Sequence, residues 1–251
     1  IYLADSGSHC ALVIAGLYFR CFASKTRLGI LYGERLRTLQ KAAQLWCKIC
    51  GLIEVQDVVD TVSAGVSAIG LNFYPGSARY VSSSLGQQLS LAAITAAPEC
   101  QRVGLFVNAA ASDVEAILAA VELDLLQFSG DESAAFCRSF GKPYLKAVKM
   151  RSDTDFREFE VEYADAWALL LDTYDADQAG GTGRAFDWAL WPQNSDKRLI
   201  LAGGLEPDNV ASAVAQLAPF GVDVASGVEG KNKGRKNSER VRRFLQEARH
   251  G

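Results

Sequence analysis

The chain has 251 residues, 49% hydrophobic and 22% charged, which is enough to bury a large core in one domain and too apolar for a disordered segment. Lys plus Arg total 26 against 29 Asp plus Glu, and a net charge of −3 offers no general attraction to nucleic acid or to an anionic membrane. The expected partner is therefore a small molecule. Both histidines, His9 and His250, lie near the chain ends, so a Ser-His-Asp or Cys-His arrangement in the core is excluded and acid/base work falls to Cys, Asp, Glu, Lys or Tyr.

The first 45 residues differ from the rest. CALVIAGLYF is apolar but too short to span a bilayer, and the residues before it lack the positive charge of a signal peptide. GERLRTLQKAAQLW has helical spacing at Leu36, Leu39 and Ala43 and is expected to pack as an extra helix. Because Met150 is the sole methionine, residues 1–45 read equally as a truncated upstream domain, a linker or mistranslated sequence.

From Trp46 onward the pattern becomes regular. Apolar runs at WCKIC, AIGLNFY, RVGLFVN, LDLLQF, YLKAVK, WALLLD, RLILAG and VDVASG are each followed by a stretch with helical character. Ser112 and Glu115 have the spacing of a capping box, and Asn237 precedes Val241, Leu245 and Ala248 as a helix start. Strands alternating with helices argue for a parallel sheet, and eight such units in about 205 residues fit a closed α/β barrel, a (β/α)8 TIM barrel spanning 46–251 behind an N-terminal extension of 1–45. An open doubly wound sheet is the alternative, but no G-x-G-x-x-G follows the first strand.

In a barrel the chemistry belongs at the C-terminal strand ends. The candidates in chain order are Cys50, Asn72, Arg79, Asn108, Gln127, Ser129, Lys146, Asp172, Gly203, Gly204, Ser226 and Gly227. The bare backbone of AGG and ASG after the seventh and eighth strands suits a phosphate held by N–H groups, with Gly180, Gly181 and Gly183 as a neighbouring wall. Cys47 and Cys50 form a C-x-x-C that reads weakly as a redox pair or half a zinc site; no second C-x-x-C accompanies it, so no metal is expected. The six cysteines are scattered through a long chain, as in a reduced cytoplasmic protein. Lys146 is expected to fill a barrel layer beside an acid such as Asp172, and Trp167, Trp188 and Trp191 to pack, with Trp188 closest in sequence to the glycine loop.

The ordered series KICGL, NFYPGSARYVS, VGLFVN, LDLLQFSGDE, LLLDT, GGTGRAFDW, LAGGLEPDNV and VDVASGVEG resembles the phosphoribosylanthranilate isomerase family of tryptophan biosynthesis over residues 46–251. The resemblance implies an Amadori rearrangement of N-(5-phosphoribosyl)anthranilate to 1-(2-carboxyphenylamino)-1-deoxyribulose 5-phosphate. It implies Asp172 as general acid and Cys50 as general base, substrate contacts from Arg79, Gln127 and Ser129, and a phosphate held by Gly181, Gly203, Gly204, Ser226 and Gly227. For Cys50 to act as a base its pKa should be lowered by nearby positive charge, with Lys48 and Arg79 as the nearest candidates. No metal or organic cofactor is implied. The implied partner is a phosphorylated small molecule, with room for a fused or associated tryptophan-pathway domain.

Three departures from the family pattern stand out. Ser129 occupies the place of a histidine, the run Lys233-Gly234-Arg235-Lys236-Asn237 lacks the usual proline and aspartate, and Asn72 and Gly76 differ from common family residues. The basic run reads as a solvated face or a loop near the phosphate. Another aminoaldose-phosphate isomerase on the same barrel and a catalytically decayed barrel are the competing readings.

Overall fold

The structure is a computed structural model that describes residues 11–14, 17–20, 45–173 and 187–251. By contact density the chain forms two units, Ile1–Ala43 and Gln44–Gly251. In the first, Ala11–Ile14 pairs antiparallel with Leu17–Arg20. Of the helix expected over 33–46, residues 33–44 lie outside the described residues and Trp46 instead begins a strand; Gly180, Gly181 and Gly183 also lie outside them.

The second unit contains eight parallel strands: β1 (Trp46–Cys50), β2 (Ala68–Asn72), β3 (Gln101–Phe106), β4 (Leu125–Phe128), β5 (Tyr144–Met150), β6 (Ala168–Thr173), β7 (Leu199–Leu201) and β8 (Gly221–Val224). They close into a barrel in which β8 pairs back onto β1, as the alternating pattern predicts. Helices α1 (Val55–Ser63), α2 (Ser83–Ala96), α3 (Ala111–Ala120), α4 (Ala134–Arg138), α5 (Phe156–Glu162), α6 (Val210–Leu217) and α7 (Ser238–His250) follow the strands, except that between β6 and β7 the described residues hold only a 3-10 turn, Trp188–Leu190, with 174–186 outside them. Among the described residues, no helix is long and apolar enough to cross a membrane.

Because each strand is covered on both faces, its apolar residues run continuously and divide by alternation. Trp46, Ala68, Val103, Leu125, Leu145, Ala168, Leu170, Ile200 and Ala202 fill the barrel interior. Ile49, Ile69, Leu71, Leu126, Leu169 and Leu171 face the helices. Trp167 lies beside Trp46 at 5.5 Å between ring centroids, Trp191 is buried, and Trp188 packs against the outer cluster, so all three tryptophans pack as expected.

The helix signals fare unevenly. Asn237 caps α7 through its Oδ1, which accepts from the amides of Glu239 and Arg240, and Val241, Phe244, Leu245 and Ala248 form the buried stripe. The capping box does not form. Helix α3 begins one residue before Ser112, its N-cap is Ala110, and no side chain caps it.

Candidate active site

The inward-facing set on β1 is Trp46, Lys48 and Cys50, because side chains two apart on a strand share a face. Trp46 closes the bottom of the barrel, and the two polar groups follow toward the C-terminal end. Lys48 is wholly buried, and its Nζ donates to Asp223 Oδ1 at 2.7 Å; the two residues are direct register neighbours on β1 and β8. Sequence reasoning gave Asp223 no role, although it stands in the quoted VDVASG run, two residues before Ala225.

Space around the Cys50 thiol is made by an absent side chain. A Cβ at Gly70 on β2 would sit 2.7 Å from Cys50 Sγ and 3.2 Å from Lys48 Cε. Cys47 points to the other face of β1, where its Sγ lies 3.8 Å from the Leu45 carbonyl. A three-residue spacing on a strand thus separates the thiols of the C-x-x-C, and they form neither a redox pair nor half a zinc site. All four described cysteines are free and buried.

The expected lowering of the Cys50 pKa is not observed. Burial dominates and pushes the thiol up; Lys48 pulls it down, the Asp223 carboxylate pushes it up again, and Lys236 pulls it down by less. The second cation named by sequence reasoning was Arg79; Lys236 bears on the thiol instead. Burial also works against the charge on Lys48, but Asp223 and the thiol outweigh it and hold the ammonium above the usual lysine value.

Arg79 is only 6% exposed, so it is not a solvated surface residue. It sits in the loop after β2, which Asn72 shapes: Asn72 Oδ1 accepts from the Tyr74 amide at 2.9 Å and its Nδ2 donates to Ser77 Oγ at 3.0 Å. Ser77 Oγ in turn accepts from the Arg79 amide at 3.1 Å. The Arg79 stem crosses Gly51, which lies directly after Cys50 with φ +73, and a Cβ there would meet Arg79 Cδ at 2.4 Å. Gly51 therefore meets two demands at once, a left-handed turn and a passing side chain. The guanidinium grips Glu229 with two bonds, Nε to Oε1 at 2.6 Å and Nη2 to Oε2 at 3.1 Å.

Lys236 belongs to the same cluster, so the basic run is not a solvated face at this position. Its side chain is 1% exposed, and Nζ donates to Glu229 Oε1 at 3.1 Å and to the Ala225 carbonyl at 2.9 Å. Burial lowers its pKa, and Glu229 only partly restores it. The neighbouring Arg235 reaches outward to Asp57 and Glu54.

Asp172 stands at the end of β6, half-buried, and continues the inward set Ala168, Leu170, Asp172 toward the barrel mouth. Gln127 on β4 faces inward, and its Nε2 donates to Ser129 Oγ at 3.1 Å. The buried Gln127 Oε1 has no hydrogen-bond partner among the described residues.

Two other candidates do structural work. Lys146 faces outward from β5, and its partner is Glu132 at 2.9 Å, together with the Gly130 carbonyl at 2.6 Å, so it neither lines the barrel interior nor pairs with Asp172. Glu132 also accepts from the amides of Asn108 at 2.7 Å and Gly130 at 2.9 Å. Asn108 Oδ1 accepts from the Asp131 amide at 2.7 Å, so the pair ties the loops after β3 and β4 together.

The glycines after β7 serve the turn. Gly203 and Gly204 have φ of +84 and +64, and among the described residues no backbone carbonyl takes their amides. Asn209 Nδ2 donates to the Gly204 carbonyl at 2.9 Å, fixing the turn to the start of α6. The loop after β8, which carries Ser226 and Gly227, comes against it: a Cβ at Gly227 would lie 1.8 Å from the Leu205 carbonyl oxygen. The bare backbone therefore brings the two loops together. The remaining phosphate candidate, Gly181, is outside the described residues.

A family model described as N-(5'-phosphoribosyl)anthranilate (PRA) isomerase matches residues 47–247. An N-(5'-phosphoribosyl)anthranilate isomerase from Pseudomonas fluorescens is 47% identical over 203 residues, covering 80% of this chain and 94% of that protein. One from Azotobacter vinelandii is 46% identical, covering 81% and 97%. The solved phosphoribosyl anthranilate isomerase from Thermotoga maritima superimposes with a TM-score of 0.73 at 34% identity, covering 81% of this chain and 98% of its own. Another solved phosphoribosyl anthranilate isomerase, in complex with reduced 1-(o-carboxyphenylamino)-1-deoxyribulose 5-phosphate, gives a TM-score of 0.70 at 33% identity, with coverage of 81% and 98%. With the family model covering nearly all of the barrel, this chain belongs to the N-(5'-phosphoribosyl)anthranilate isomerase family.

Proposed function

We propose that the barrel converts N-(5-phosphoribosyl)anthranilate to 1-(2-carboxyphenylamino)-1-deoxyribulose 5-phosphate, the isomerisation for which its family is named, using Asp172 as acid and Cys50 as base. The observation that carries the reading is Cys50 on the inner face of β1 beside the buried Lys48–Asp223 pair, in a chain whose barrel matches the family from end to end.

In this mechanism Asp172 gives its proton to the ribose ring oxygen as the C1′–O bond breaks, and the nitrogen lone pair forms the Schiff base. Cys50 takes the C2′ proton, leaving an enolamine that gains a proton at C1′ and releases its 2′-hydroxyl proton to become the aminoketose. No redox partner is needed, because the electrons only move from C2′ to C1′. Lys48 and Lys236 support the Cys50 thiolate against burial and the Asp223 carboxylate. Arg79 contacts the substrate, with Gln127 and Ser129 at the inner wall. The amides of Gly181, Gly203, Gly204, Ser226 and Gly227 hold its phosphate, a placement supported by the convergence of the loops after β7 and β8.

Residues 46–251 are taken as the catalytic domain and 1–45 as an extension, supported by the span of the family match. A cytoplasmic location and a fused or associated tryptophan-pathway domain complete the reading, supported by the family's biosynthetic role. The full chain, given freshly generated phosphoribosylanthranilate, should consume its fluorescence. A folded protein that leaves the fluorescence unchanged, yet acts on another aminoaldose phosphate, would replace this substrate with that one.

A further inference from the structure

The buried cluster beside Cys50 contains a carboxylate that the acid/base mechanism does not use. Glu229 follows the short turn after β8, and its side chain is 7% exposed. It accepts two bonds from the Arg79 guanidinium and one from Lys236 Nζ, so a single buried anion is shared by two buried cations. A lone carboxylate would not stay charged at such burial, but these partners outweigh burial and hold Glu229 below the usual carboxylate range.

The geometry makes this a clamp. Glu229 and Lys236 face each other across an isolated antiparallel bridge, closed by Gly230 N to Arg235 O at 2.9 Å and Asn237 N to Val228 O at 2.9 Å. The bridge fixes the carboxylate on the β8 side of the barrel. Arg79 arrives from the β2 side, its stem laid over Gly51 directly after Cys50. A bidentate bond fixes the plane of a guanidinium as well as its position, which a single contact does not. It occupies the Nε and Nη2 edge and leaves the Nη1 side for another acceptor.

We propose that Glu229, backed by Lys236, is the positioning residue that holds Arg79 across Gly51 and presents its free edge to the substrate. The inference rests on the reading of Arg79 as a substrate contact. Glu229 itself touches no reacting atom.

The test measures kcat and KM for phosphoribosylanthranilate with the full-length parent and the variants Glu229→Gln, Glu229→Asp, Arg79→Ala and Arg79→Ala/Glu229→Gln. The expected result for Glu229→Gln is a KM raised about tenfold or more with kcat held within about threefold, in line with the loss of a bidentate charged contact. Glu229→Asp, which keeps the charge but withdraws it by one methylene, should fall between it and the parent. The double variant should be no worse than Arg79→Ala alone, because Glu229 acts through Arg79.

A merely structural role would instead lower the melting temperature and leave KM of the folded fraction at the parent value. That result, or losses that multiply in the double variant, overturns the inference. If Glu229→Gln does not fold, Glu229→Asp decides by the same KM criterion. An impaired Arg79→Ala beside an unaffected Glu229 series overturns the clamp alone. An Arg79→Ala that turns over like the parent overturns the reading beneath it and the clamp with it.

Discussion

Lys48 and Asp223 join the first and last strands of the barrel. They are register neighbours on β1 and β8, bonded at 2.7 Å, and Lys48 has no solvent exposure. The ion pair therefore lies across the line where the sheet closes on itself and beneath the Cys50 thiol. Asp223→Asn leaves an ammonium buried without its counter-charge, so the barrel should lose about 3–5 kcal/mol of unfolding free energy in urea titrations. Replacing both partners with Lys48→Met and Asp223→Leu should recover much of that loss while leaving turnover impaired. A double variant with parent activity would remove the pair from the chemistry.

Burial raises the Cys50 pKa, and a base works only in its deprotonated form. Because Asp172 must be protonated while Cys50 is deprotonated, the gain in thiolate as pH rises is offset by the loss of the acid, and the rate is set by the share of protein that carries both forms. Lys48→Met removes the cation that most opposes burial, so the thiolate share and with it kcat/KM at neutral pH should fall by about tenfold or more. A folded Lys48→Met with the parent kcat/KM at neutral pH would contradict this placement of the base.

Cys47, Cys100 and Cys137 each have a pKa pushed from the ordinary thiol value of 9.0 up to about 12 by burial. Raised folded-state values mean that the unfolded chain releases these protons first. The contribution is present in full below about 9 and is lost as pH rises toward about 12, so stability should fall across that window. Lys236, whose pKa is lowered, acts in the opposite direction over part of the same window, but a single group is set against three thiols. Urea midpoints at about pH 8 and about pH 10.5 should show the decline, and Cys47→Ala should make it shallower. A midpoint that rises with pH would reverse the assignment.

Gly70→Ala tests the space around the base. Its Cβ would lie 2.7 Å from Cys50 Sγ and 3.1 Å from Cys50 Cα, so backbone as well as thiol must shift. The expected cost is about 1–3 kcal/mol of stability, together with a fall in kcat larger than any change in KM. A variant that keeps the parent kcat would show that the position of Cys50 tolerates displacement.

The barrel was legible because its strands are buried on both faces and so appear as apolar runs at a steady spacing, and each run holds a strand. Lys48 beside Cys50 was legible for a related reason: residues two apart on a strand share a face. The same rule, applied to Lys146, would have shown that it faces the helices, where Glu132 waits for it. Charge spacing alone could not show that Lys236 turns inward while Arg235 stays outside, because that depends on the bridge between Glu229 and Lys236. The Arg79–Glu229 grip joins residues 150 positions apart, and nothing local to either reports the other. The apparent capping box failed because helix α3 starts ahead of Ser112 and leaves that residue inside the first turn.

The central claim is that Cys50 and Asp172 move the two protons. It is tested most directly by kcat/KM for phosphoribosylanthranilate in the parent, Cys50→Ala and Asp172→Asn, each confirmed folded by circular dichroism. The expected result is a loss of at least about a hundredfold in both variants, the scale of a general acid or base. Turnover within a few-fold of the parent in either variant would contradict the role given to that residue.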